Sequence, residues 1–341
     1  MSHGNHAIPV GSRVLVTGAN GYIATQIIEQ LLLLGYVVRG TVRAVKPWLD
    51  TYFHGRYGKD AFEQVIVSSI TNRDEIDAVL DEVDGIIHVA SDVSLSSDPE
   101  EVISWVVRST LDVLDLATQR PAIKRVVLVS SSTALYTMQQ GIEEKAVHEN
   151  TWNIRAVKAA WDPKFPDDRK AIMTYSAAKT EAERQAYKWV EEHRPNFILN
   201  SVLPCWTLGK VLSSEMFGST MGYTRLALKG DNMFLSLLPQ HWFVDVEDIA
   251  RLCAVGLLDP SVQAERLFGF AENMTGHDII STLQKLRPGN CNLTQPPGNV
   301  IRDQTEVLPR KRAEDLLRKF YGQSGWTPIQ DSLEKGIDGW E

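Results

Sequence analysis

Residues 13–24 read Arg-Val-Leu-Val-Thr-Gly-Ala-Asn-Gly-Tyr-Ile-Ala. The first four form an apolar run short enough for a buried strand. They lead directly into a glycine-containing turn, and an apolar stretch of helical period follows to about Leu34, where Gly35 ends it. A strand, a tight glycine turn and a helix in that order place helix N–H groups and the positive end of the helix dipole at the turn, which suits a phosphate. Gly18 can take the tight turn, Gly21 lets a pyrophosphate approach the backbone, and Ala24 keeps the helix close to the strand. The plainer alternative is a βα turn with no ligand.

Outward from this stretch, the pattern repeats. Apolar runs at Val37–Val42, Val65–Val67, Gly85–Ala90, Arg125–Ser130 and Phe197–Leu203 predict further strands. Helices are expected at Asp74–Asp81, from Asp98 to about Gln119, and over Tyr175–His193 before Pro195. Asp98-Pro99-Glu100-Glu101 is a strong helix start, with Asp as N-cap, Pro in the first turn and acids near the dipole's positive end. Continuously apolar strands alternating with helices predict an α/β fold, a Rossmann-type doubly wound parallel sheet covered on both faces. After Pro204 the alternation weakens. Residues 8–203 are therefore expected to form the dinucleotide-binding domain. Residues 204–341 are read as a smaller, mixed substrate-binding part, with segments near 242–270 returning to the first.

Composition narrows the function. The 341 residues are 43% hydrophobic and 23% charged, which is ordinary globular material. The net charge is −8, and no basic run exceeds Arg310-Lys311-Arg312, so a nucleic-acid partner is not expected. Three widely spaced cysteines, Cys205, Cys253 and Cys291, argue against a disulfide framework or a metal site and for a reducing compartment. Residues 1–9 are polar and lack a secretory pattern, and no apolar run is long enough for a membrane span. The expectation is a cytoplasmic protein with no membrane contact, a monomer or homodimer.

The end of the second strand bears on the cofactor. It reads Gly40-Thr41-Val42-Arg43, with Lys46 following and no carboxylate before Asp50. An acid there would hold a free ribose 2′-hydroxyl, whereas Arg43 can pair with a 2′-phosphate. NADPH/NADP+ is expected over NADH. Arg43 as a solvated surface residue is the alternative.

A catalytic set is suggested by Tyr175-Ser176-Ala177-Ala178-Lys179, where tyrosine and lysine share a helix face. A lysine ammonium can lower a nearby phenol's pKa, so that the tyrosine protonates a carbonyl oxygen. Ser130, Ser131 and Ser132 end a central strand, where open α/β sheets bind ligands. A serine there can hold the carbonyl, and one or two of the three are expected to serve turns instead.

Together these residues resemble the extended short-chain dehydrogenase/reductase family, and within it the dihydroflavonol-reductase-like and fungal carbonyl (methylglyoxal/ketone) reductases. The likeness runs through TGANGYIA (17–24), GTVR (40–43), HVAS (88–91), RVVLVSS (125–131), HENTWN (148–153), the Tyr175/Lys179 pair and FVDVEDIA (243–250). It implies NADPH-dependent reduction of a ketone or aldehyde with Ser131, Tyr175 and Lys179 as catalytic residues and Ser132 as fallback. The implied cofactor residues are Gly18, Asn20, Gly21, Tyr22 and Ile23 in the turn, Arg43 and Lys46 after the second strand, and Ser69 and Ile70 after the third. Val89, Ala90 and Ser91 follow the fourth strand, and Pro204 and Trp206 lie near the nicotinamide. Ser69 stands where the family usually carries an Asp against the adenine, and Arg108-Ser109 replaces a small Asn-Gly-like pair. Asp92, Tyr136, Met216 and Phe217 are candidates to touch a small-molecule carbonyl substrate, with Trp206 and Trp242 beside them, and core packing is the alternative for each. No metal is expected. Asp245, with Asp248 three residues on, reads as a capping-box-like pair without chemistry. Rival functions are a nucleotide-sugar epimerase or dehydratase, a hydroxysteroid-type dehydrogenase, and a noncatalytic NADP-sensing protein.

Overall fold

The computed structural model describes residues 6–137, 146–237, 241–296, 298 and 301–340. Residues 1–5 of the polar N-terminal stretch lie outside them.

The first half runs β1 (Arg13–Val16), α1 (Tyr22–Leu33), β2 (Val37–Val42), α2 (Pro47–Tyr57), β3 (Phe62–Ile66), α3 (Arg73–Ala78), β4 (Gly85–His88), α4 (Pro99–Thr118) and β5 (Arg125–Val129). A 3-10 turn (Ser132–Ala134) follows, then β6 (Ala146–Val147), α5 (Ile154–Trp161), α6 (Asp167–His193), β7 (Ile198–Pro204) and β8 (Trp206–Leu208). The remainder comprises α7 (Ser219–Leu226), α8 (Met233–Leu237), β9 (His241–Asp245), α9 (Val246–Leu258), β10 (Arg266–Gly269), β11 (Glu272–Met274), α10 (Gly276–Leu286), β12 (Glu306–Val307), α11 (Arg310–Tyr321) and α12 (Ile329–Gly336).

Among the described residues a seven-stranded sheet has the order β10-β7-β5-β4-β1-β2-β3, and every pairing in it is parallel. Strand order reverses between β1 and β4, so their carboxyl ends open the crevice where such sheets take ligands. Alternation along each strand covers both faces. Val14, Val16, Ile87, Val127 and Val129 enter one core with α1 and α9, while Leu15, Ile86, Val126 and Leu128 enter another with Val113 and Leu114 of α4. β10, from the C-terminal third, is the edge strand beside β7.

Two smaller sheets complete the second half. β9 lies between β8 (parallel) and β11 (antiparallel), and β12 pairs with β6.

Some element bounds differ from the sequence reading. β3 begins at Phe62, not Val65, because its half-exposed edge position tolerates Glu63 and Gln64. α3 covers Arg73–Ala78, with Asn72 as N-cap. α6 starts eight residues before Tyr175, where Asp167 and Asp168 fill its first turn. Asp245 does cap α9, accepting from Glu247 N at 2.8 Å, but Asp248 is no capping-box partner. Asp248 accepts from Gln323, Thr327 N and Thr327 Oγ1, tying α9 to the chain before α12.

Candidate active site

The glycine turn is built for close approach. Gly18 has φ +70°, and a Cβ there would lie 3.3 Å from Ala90 Cα, so the turn after β1 sits against the chain leaving β4. Thr17 Oγ1 locks the two together by accepting from Val89 N (2.9 Å) and Ala90 N (3.0 Å). Gly21 precedes α1, whose first turn carries no acid. The helix end therefore faces the crevice with free N–H donors and no negative side chain. Asn20 is exposed and Ile23 half-buried. Tyr22 points inward, its hydroxyl donating to Gly209 O at 2.9 Å, so only its backbone can serve a ligand.

Arg43 follows β2 and is exposed, and no carboxylate pairs with it among the described residues. Lys46 is held by its backbone, with Gln64 bonding its N–H (2.8 Å) and its carbonyl (3.2 Å). Ser69 is engaged with Thr71 Oγ1 at 2.8 Å, and Ile70 is buried in the core. Ser91 Oγ is buried without a partner among the described residues. Free amides at a helix end, an unsatisfied hydroxyl at the switch point and an unpaired guanidinium past β2 fit a phosphorylated dinucleotide.

Ser131, Tyr175 and Lys179 converge beside this cradle. Ser131 leaves β5 at its carboxyl end and caps the 3-10 turn, its Oγ accepting from Thr133 N (3.2 Å) and Thr133 Oγ1 (3.0 Å). Those bonds occupy its lone pairs and leave its own hydrogen for the side facing Tyr175, whose phenol Ser131 pulls to lower pKa. Ser130 and Ser132 are buried, and Ser130 turns instead to Glu183. Lys179 is buried with Nζ 3.2 Å from Val129 O. Burial pushes its ammonium down to about 8, against the pull of Glu183.

One sequence expectation is reversed. Burial raises the Tyr175 phenol above its ordinary value, and the Ser131 hydrogen bond only partly opposes this. Lys179 directs its ammonium to a strand carbonyl and exerts no resolved pull on the phenol. A raised pKa keeps Tyr175 protonated at neutral pH, the state a proton donor needs.

The structure adds residues that the sequence reading left out. His88, fully buried, hydrogen-bonds Thr17 Oγ1 at 3.0 Å, and burial and then Lys179 drive its pKa to about 3. Beside Lys179, a small cavity bounded by His88, Ser91, Thr110 and Ser130 has room for about one water. Glu183 and Arg266 form a buried ion pair one helical turn beyond Lys179. The one hint in the sequence was Glu183's spacing of four from Lys179.

The candidate substrate residues diverge. Tyr136 is buried and donates to Asp303 at 2.6 Å. Trp206 is buried in β8, with Nε1 3.4 Å from Thr224 Oγ1, and Pro204 ends β7. Met216 is buried against Thr25, and Trp242 packs edge-on against Phe270. Phe217 is half-exposed against Tyr223. Asp92 accepts from Ser94 N and Oγ, a turn-forming role. The three cysteines are free, and no cluster of metal-ligating side chains occurs among the described residues. No helix among them is long and apolar enough to cross a membrane.

Known proteins resemble this chain along its length. It is 44% identical over 337 residues to ketoreductase adrE of Penicillium rubens, covering 98% of each chain. It is 33% identical to aldehyde reductase 2 of Sporidiobolus salmonicolor, covering 97% of this chain and 96% of that one. The yeast methylglyoxal/isovaleraldehyde reductase Gre2, solved with NADPH, superposes with a TM-score of 0.79 at 22% identity, over 96% of this chain and 97% of that one. The model of the NAD dependent epimerase/dehydratase family matches residues 14–265, most of the chain and all three converging side chains. The chain belongs to the NAD dependent epimerase/dehydratase family.

Proposed function

We propose that this protein is an NADPH-dependent carbonyl reductase that converts a ketone or aldehyde to an alcohol. The observation that carries the reading is that Ser131 interacts with Tyr175 while Lys179 Nζ lies 3.2 Å from Val129 O, two residues before Ser131. Relatives named ketoreductase and aldehyde reductase support it.

The amides at the start of α1 hold the pyrophosphate, and Arg43 takes the 2′-phosphate. Bound there, the reduced nicotinamide supplies hydride to the carbonyl carbon. Ser131 and Tyr175 hold the substrate oxygen, and Tyr175 gives it the phenolic proton as negative charge develops. Lys179, whose ammonium rests on Val129 O, would hold the nicotinamide ribose when the cofactor is bound, and its positive charge in the same crevice would offset the phenolate left behind. One hydride to carbon and one proton to oxygen complete the alcohol.

In the same reading, residues 8–203 form the cofactor domain and most of 204–341 shapes the substrate pocket, with Tyr136, Trp206 and Met216 nearest the carbonyl. The enzyme works in the cytoplasm as a monomer or homodimer, which its free cysteines suit.

The test is a panel of ketones and aldehydes assayed for loss of NADPH and of NADH. Wild type should oxidise NADPH in proportion to alcohol formed. A nucleotide-sugar epimerase would show no net oxidation. Tyr175→Phe should cut turnover on the order of a hundredfold or more while NADPH still binds. Near-normal turnover in that variant rules out the proposed proton donor.

A further inference from the structure

Glu183 is completely buried and has no part in the mechanism above. It follows Lys179 by four residues, so both side chains leave the same face of α6. Its oxygens take four donors. Oε2 accepts Ser130 Oγ at 2.7 Å and Arg266 Nη2 at 3.0 Å, and Oε1 accepts Ser201 Oγ at 2.5 Å and Arg266 Nε at 2.8 Å. The carboxylate is fully satisfied and held in place. A buried ion pair is weak evidence for stability, since apolar residues of similar volume often serve as well. What this charge acts on is therefore the better guide to its role.

Two groups lie within its influence. Ser130 immediately precedes Ser131. Lys179 makes its one hydrogen bond among the described residues to Val129 O, and burial drives it toward the neutral amine while Glu183 resists. The other groups around the ammonium supply no negative charge. β4 presents His88, which is neutral, and Tyr175 one turn earlier is a neutral phenol. α4 offers Val106 and Thr110, and β5 offers Val129 and Ser130. α5 packs on α6 with its buried alanines, Ala156, Ala159 and Ala160. Arg266, from β10, pairs with the carboxylate and contributes no negative charge.

We infer that Glu183 is a positioning residue for carbonyl reduction: its charge, on the same face of α6, supports the buried Lys179 ammonium, and its bond to Ser130 fixes the strand end that carries Ser131. The inference rests on the roles given to Ser131, Tyr175 and Lys179 above. Arg266 completes the arrangement. While paired with Glu183, it donates to Glu149 O (2.6 Å) and Thr151 O (2.8 Å) and stacks over Trp152 at 3.8 Å. The segment before α5 is thereby tied to the same carboxylate.

The experiment compares wild type, Glu183→Gln, Glu183→Asp and the double variant Glu183→Gln/Arg266→Gln. The double variant replaces the ion pair by neutral amides and keeps the test open if the single variant does not fold. The first readout is the pH profile of kcat/KM for carbonyl reduction. Loss of the carboxylate should move the alkaline limb to lower pH by about one unit or more, and Glu183→Asp should restore it. The second readout needs no cofactor. Lysine Cε resonances are titrated by 13C NMR in the cofactor-free protein, with Lys179 identified by its absence in Lys179→Met. Its titration should shift down in step with the limb. A folded double variant whose limb and Lys179 titration both match wild type overturns the inference. If wild type reduces no carbonyl, the functional reading fails instead, and the NMR titration still decides the Glu183–Lys179 coupling.

Discussion

Thr17 donates its hydroxyl hydrogen to Nδ1 of His88, 3.0 Å away, and this bond fixes the imidazole's tautomer. Thr17 Oγ1 already accepts Val89 N and Ala90 N, so its hydrogen is left for the ring. His88 must then carry its own proton on Nε2, the nitrogen remaining for the cavity beside Lys179. One threonine thus joins the turn after β1 to the end of β4 across the switch point.

Folding holds His88 neutral, which makes stability depend on pH. Its pKa falls from 6.5 to about 3 on folding. A depressed basic pKa means that the unfolded chain binds the proton first. Stability from this group is intact above pH 6.5 and is lost as pH falls toward 3. Between pH 7.5 and 5.5 the loss should be about 1.4 kcal/mol. Urea midpoints for wild type and His88→Phe at both pH values measure it. Wild type should lose more than the variant by that amount, and equal losses would contradict the assignment.

Lys179 has the same sign at higher pH. Folding lowers its pKa from 10.5 to about 8, so the buried ammonium costs stability below pH 8 and the cost disappears as pH rises through 10.5. The full cost is on the order of 3 kcal/mol, less whatever the Val129 hydrogen bond returns. Cofactor-free Lys179→Met should be more stable than wild type at pH 7, and the advantage should shrink by pH 10. A variant less stable than wild type at pH 7 would show that the ammonium is stabilising where it sits.

The parts legible in the sequence were those set by local rules. Arg13–Val16 with Gly18 and Gly21 form the expected strand and glycine turn into α1, and Tyr175 and Lys179 share one face of α6 because a helix has one pitch. Long-range partners were not legible. Glu183 bonds Arg266 across 83 residues, and Tyr136 bonds Asp303 across 167. Neither residue of either pair carries a local signature of the other. The start of α6 was missed because residues 167–174 are mostly polar, leaving Asp167 and Asp168 as the one cue. The Tyr175 pKa was misjudged because spacing says that Lys179 is near, not where its ammonium points.

Arg43 should decide cofactor choice. It is exposed and unpaired by any carboxylate among the described residues, so removing it disturbs little else. A charge-assisted contact to a phosphate is worth about 1.5–3 kcal/mol, or roughly 10- to 150-fold. Arg43→Ala should raise the KM for NADPH by about that factor and leave the KM for NADH within twofold. Fluorescence titration of both cofactors checks it, and an equal loss for the two would place the 2′-phosphate elsewhere.

Tyr136 and Asp303 connect the turn after Ser131 to the C-terminal part of the chain. The 2.6 Å bond is buried, and Asp303 also accepts from Thr305 N at 3.0 Å, while Asn273 holds the Asp303 carbonyl at 2.6 Å. Tyr136→Phe leaves the buried carboxylate one donor short, at a cost of about 1–3 kcal/mol. The ring stays, so packing survives, and the bond involves no residue of the glycine turn after β1. The expected result is a lower urea midpoint and a several-fold higher KM for the carbonyl, with NADPH affinity unchanged. Asp303→Asn keeps an acceptor for Tyr136 and should lose less. Equal losses in NADPH and carbonyl binding would mean that the bond supports the whole fold and not the substrate side of the crevice.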